Sequence, residues 1–109
     1  MATFNFDQFL DAVKNGVGDL AKTEGVDYIE AARSDGQDFL NAIKHDLVVW
    51  MQQLTDGLLS QDEFEFLVNG KRDLAKMEAL TQAGVGAAKV DKIRSGAINI
   101  VLTSALALI

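Results

Sequence analysis

The chain has 109 residues, a net charge of −6, no cysteine and no proline. That length suits one domain, residues 1–109, and is too short for two of ordinary size. Without cysteine there is no disulfide, thiolate metal site or cysteine nucleophile, and the acidic balance argues against general nucleic-acid binding.

The N-terminal stretch MATFNFDQFLD has neither a basic start nor a long apolar run, so it does not read as a secretory signal, and a cytoplasmic location is expected. At 100° per residue, Phe6, Phe9, Leu10, Val13, Val17 and Leu20 share one third of a helical circumference. Asn5 with Gln8 supplies a capping box, and Gly25 supplies a stop. A first helix over 5–23 follows. The second stripe, Ile29, Ala32, Gly36, Phe39, Leu40, Ile43, Leu47, Trp50 and Leu54, spans about 100° of arc. By composition SDGQD (34–38) would be a turn. The stripe nevertheless stays in phase on both sides of Gly36, which predicts one long helix over 26–55. Val48 and Val49 fall off that stripe and, with Ala31 and Ala42 beside Val49, suggest a second apolar contact face.

A third helix is predicted over 60–83, with Phe66, Leu67, Gly70, Leu74 and Met77 on one side and Phe64 and Val68 off it. The last, over 87–108, carries an ordinary stripe of Val90, Ile93, Ala97, Ile100, Val101, Ser104 and Leu108. Ile98, Leu102, Ala105, Leu106 and Ile109 make much of its opposite side apolar too, and no charge occurs from Ser95 onward. Such a helix belongs in a core, at a subunit interface or in a membrane. Fifteen residues rise only about 22 Å, short of the ~30 Å hydrocarbon layer. The expected architecture is therefore all-α: four helices packed as antiparallel hairpins, within an oligomer.

Two bulk properties favour association. Counted with glycine and without tyrosine, about 56% of the residues are apolar, against a usual 45–50%. The charge is also uneven. Residues 1–63 hold four basic and twelve acidic side chains, and residues 64–109 hold six and four. That asymmetry joins either the two halves of one chain or one chain's front to another's back.

Few motifs carry chemistry. TDGLLSQDEF (55–64) resembles the second half of an EF-hand calcium loop, with Asp56, the Leu58 carbonyl, Ser60 and Glu63 at ligand positions around Gly57. The first half would need side-chain oxygens where Leu54 stands, and leucine offers none. The same residues make a helix junction without metal: Gly57 as a left-handed stop, then a Ser60-x-x-Glu63 capping box. His45, the single histidine, lies opposite the core stripe. Gly84-x-Gly86-x-x-Lys89 lacks the ending of a phosphate loop. KRDLAK (71–76) and KVDKIR (89–94) read as solvated basic faces meeting the acidic front half.

The functional expectation is a non-enzymatic, self-associating structural or interaction protein with no cofactor or metal. Its interface would comprise Val48, Val49, Ile98, Leu102, Ala105, Leu106 and Ile109. Two alternatives stand beside it. One is contact with a membrane or another apolar surface through residues 95–109. The other is a bundle holding an apolar small ligand among Phe6, Phe9, Phe39, Trp50 and Phe66.

Overall fold

Asn5 starts the first helix: its Oδ1 accepts the Gln8 N–H at 3.0 Å, which satisfies one of the free donors of the first turn. The reciprocal bond that would complete a box is not made. In the computed structural model, which describes residues 4–108, this helix, α1, covers Phe6–Thr23. It ends in a Schellman motif, with Gly25 at φ +75° and the Val26 N–H donating back to the Ala21 carbonyl at 2.8 Å. Helix α2 covers Ile29–Thr55. It begins with the first stripe residue, three residues later than the predicted start at 26, because the Val26 N–H is used to close α1. It runs unbroken through Gly36 and ends in a second Schellman motif, where the Leu58 N–H reaches the Gln53 carbonyl at 2.8 Å.

The expected third helix over 60–83 is instead three pieces. Helix α3 is Gln61–Asn69, a 3-10 turn follows at Arg72–Leu74, and α4 is Glu78–Gln82. A continuous helix would send the Ala79 N–H to the Ala75 carbonyl and the Leu80 N–H to that of Lys76. Here both N–H groups donate to the Asp35 carboxylate, at 2.9 and 2.8 Å, and the Ala75 carbonyl accepts Arg94 Nε at 2.7 Å. Met77 completes the break by adopting a left-handed backbone at φ 56°.

The buried face of α3 also differs from the predicted one. Phe64 and Val68 are fully buried and Phe66 faces solvent. Once the helix stops at Asn69, Gly70, Leu74 and Met77 no longer extend the Phe66 side, and the i, i+4 pair Phe64–Val68 alone meets the core. Phe64 packs edge-to-face on Trp50, with ring centroids 6.4 Å apart.

Helix α5, Ala87–Leu106, follows a third Schellman stop at Gly84. The described residues are all-helical, with five α-helices and no strand. None of these helices is long and apolar enough to cross a membrane. Helix α1 contacts both α2 and α5, and interior glycines bring the backbones close. A Cβ at Gly36 would stand 3.2 Å from Val17 Cγ2, one at Gly16 would stand 2.9 Å from Ile100 Cγ2, and one at Gly96 would overlap Leu20 Cδ2. The core between them includes Val13, Val17, Phe39, Leu40, Ile43, Leu47, Ile93, Ala97 and Val101.

Substitution Gly36→Leu should destabilise the fold by about 3 kcal/mol, because Val17 is buried and stiff at χ1. Gly86→Ser, with open space around it and an extended backbone at the start of α5, should gain a few tenths of a kcal/mol. Urea denaturation measures both. The capping box of α3 is complete: Ser60 Oγ accepts the Glu63 N–H, and Glu63 Oε1 accepts the Ser60 N–H, each at 3.0 Å. These bonds hold the Glu63 carboxyl below its ordinary pKa. Its contribution is therefore fully present above the unfolded value of about 4.3 and is lost as pH falls through the lower folded value. Glu63→Gln should flatten that part of the stability–pH curve.

Candidate functional site

Helix α5 is apolar nearly all round because the chain covers it on more than one side. Helices α1 and α3 both lie against it. Ile98, Leu102 and Ala105, expected at an interface, are 2%, 7% and 0% exposed and belong to the chain's own core. Leu106 is half-buried against that core, and Ile109 lies outside the described residues. Val48 and Val49 are exposed, but 100° apart on α2 they occupy different flanks. Val48 continues the row of Asn41 and Lys44, and Val49 that of Ala42 and His45. The structure therefore does not gather the six of these residues that it describes into one surface.

A more exposed apolar group was missed. Phe66 is 78% exposed, Leu58 75% and Leu108 59%. Phe66 stands on the side of α3 opposite Phe64 and Val68, with Asp62 one turn earlier and Glu65 beside it. Scoring only the residues between the Ser60 cap and Asn69-Gly70 would have found it, since Phe64 and Val68 then form the one i, i+4 apolar pair.

The five aromatics expected around a ligand are dispersed. Lys44 Nζ sits 4.7 Å from the centroid of the Phe6 ring, Phe9 and Phe39 are buried, Trp50 packs on Phe64, and Phe66 is in solvent. A cleft of about 290 Å³ does open at one end of the bundle, where Phe4, Phe9 and Leu108 meet Gln8, Thr55 and Ser104.

The two basic clusters of the back half meet in space, and most of their charges are spent within the chain. Lys71 pairs with Asp46 at 2.9 Å, and Lys92 lies 3.9 Å from Glu24. Lys89 Nζ donates to the Glu24 carbonyl at 2.8 Å. Arg94 is held by the Ala75 carbonyl and the Asp91 carboxylate. Arg72 and Lys76 make no ion pair among the described residues. Both line, with Arg94, Asp73 and Ala75, a cleft of about 310 Å³.

Asp35 is the one charged side chain that is buried among the described residues. Burial pushes its pKa above the ordinary carboxylate value. The Leu80 and Ala79 N–H bonds pull it back in part, and the Asp38 and Glu78 carboxylates add to the rise. Both oxygens are occupied by backbone donors, so the group acts as a clamp on α4 and is not a free base. The half EF-hand is committed in a similar way. Gln52 Nε2 donates to both Asp56 carboxylate oxygens, at 3.0 and 3.1 Å, and Glu63 is tied to Ser60. His45 is exposed, and no group of three metal-ligating side chains occurs among the described residues.

Asp35→Ala should cost about 3 kcal/mol, because it strands two N–H groups. Asp35→Asn, which can accept only one of them, should cost less. In hydrogen exchange the Ala79 and Leu80 amides should lose protection first in both variants. No family model, curated protein or solved structure matches this chain.

Proposed function

We propose that the chain is a non-enzymatic helical interaction protein that self-associates, its helices packed as antiparallel hairpins. The observation that carries this reading is Phe66, 78% exposed and directed away from the core of its own helix. Burying a phenylalanine side chain contributes about 1.5–3 kcal/mol, and aromatic side chains are enriched as anchors of protein interfaces. Leu58, Val48, Val49 and Leu108 add further apolar area outside the core.

A second copy is the favoured partner because the chain itself carries both signs of charge, acidic in front and basic behind. The association is expected to use α3 and the flanks of α2 more than α5, whose Ile98, Leu102 and Ala105 are already covered. Lipid contact through residues 95–109 draws less support for the same reason. The proposal includes a cytoplasmic setting, in keeping with a chain free of cysteine.

A second reading, an apolar small ligand, is favoured by the 290 Å³ cleft beside Phe4, Phe9 and Leu108, near the lower size limit of known ligand pockets. Native mass spectrometry should then show a co-purified mass that Ala12→Phe displaces. For the leading proposal, light scattering at micromolar concentration should give at least twice the mass of one chain. A monomer at every concentration would overturn it.

A further inference from the structure

Two exposed features of this molecule are complementary in chemistry and do not meet within one chain. The first is the outer side of α3, where Phe66 has Asp62 one turn before it on the same face and Glu65 on the next flank, all three exposed. The second is the cleft lined by Arg72, Lys76, Arg94, Asp73 and Ala75. In the first, Asp62 shares the face of an aromatic ring that is 78% exposed, and Glu65 stands on the adjoining flank. In the second, three cations converge with only Asp73 and Asp91 to offset them.

The cleft stands out against the rest of the back half. Lys71, Lys89, Lys92 and Arg94 are each tied to an oxygen of the same chain. Arg72 and Lys76 have no carboxylate in ion-pair range among the described residues, and both are exposed. Arg94 is fixed by its bonds to Ala75 and Asp91, so the cleft has a rigid wall and two free cations. Neither Asp62 nor Glu65 is paired with any cation among the described residues. Of the six back-half cations, these two alone are left without an oxygen partner among the described residues, and they stand beside one cleft.

Resting on the self-association proposed above, we infer that the α3 face of one copy docks in the Arg72–Lys76–Arg94 cleft of another. Asp62 and Glu65 face Lys76 and Arg72, and the Phe66 ring lies on the Arg72 guanidinium. A phenyl face attracts a guanidinium, more strongly once water is excluded. The opposite charges set the orientation and speed the encounter. Each copy offers one face and one cleft. The contact therefore propagates head to tail unless two copies exchange it symmetrically and close as a dimer.

Complementation tests this pairing. One variant, Arg72→Glu with Lys76→Glu, loses the cleft and keeps the face. The other, Asp62→Lys with Glu65→Lys and Phe66→Ser, loses the face and keeps the cleft. Circular dichroism and thermal unfolding first establish that each is folded. If either is not, the single changes Lys76→Glu and Phe66→Ser replace them. Sedimentation velocity should show each variant alone associating at least about tenfold more weakly than the wild type. An equimolar mixture should recover a one-to-one complex, because each lends the surface the other lacks. Raising salt to about 0.5 M should weaken wild-type association.

Folded variants that associate as well as the wild type, or a mixture that stays monomeric, would overturn this pairing and leave self-association standing. A wild-type chain that is itself monomeric would overturn both.

Discussion

Helix α1 reaches α2 and α5 closely because glycine stands where a side chain would hold the helices apart. Gly36 admits Val17, Gly16 admits Ile100, and Gly96 admits Leu20. Each interior glycine costs roughly 1 kcal/mol of helix propensity relative to alanine. The return is close packing of the buried valines and leucines along both sides of α1, since dispersion falls steeply with a gap of even half an ångström. Val13, Val17, Phe39, Leu40, Ile43 and Ile93 lie in the core that these two contacts form.

The remaining segment, from Asn69 to Gly84, is organised by polar groups on neighbouring helices. Asp35 projects from α2 and takes the first N–H groups of α4, and Arg94 projects from α5 and takes the Ala75 carbonyl. Together they occupy the donors and the acceptor that would have continued a helix. Burying a carboxylate is costly, and two short N–H bonds at a helix N-terminus offset that cost. The outcome is a short helix that seats Leu80 and Met77 in the core.

Charge is used in two ways. Most of the back-half cations bond to groups on the front half or on the adjoining loop, so the front-to-back asymmetry is partly consumed inside one chain. What is left over includes Arg72 and Lys76 beside one cleft, and the acidic side of α3 near Phe66. Self-association, as proposed, draws on that remainder together with the exposed apolar side chains.

Periodicity by itself determined the extents of α1 and α5 closely, and it placed Gly36 inside one long helix. Cap chemistry determined the junction at Gly57, Ser60 and Glu63. These are local properties, carried by residues at most five apart. The break in the third helix was not legible, because the group that captures the Ala79 and Leu80 N–H atoms lies 44 and 45 residues upstream. Nor could the apolar pattern of α5 say what covers it: Ile98 and Leu102 meet the chain's own helices, and hydropathy reports only that a side chain avoids water. Phe66 was assigned to the wrong side because its stripe was extended through residues that do not continue the helix. Tertiary structure alone decided which face of α3 is free, since a nine-residue helix has too few turns for its pattern to outweigh what packs against it.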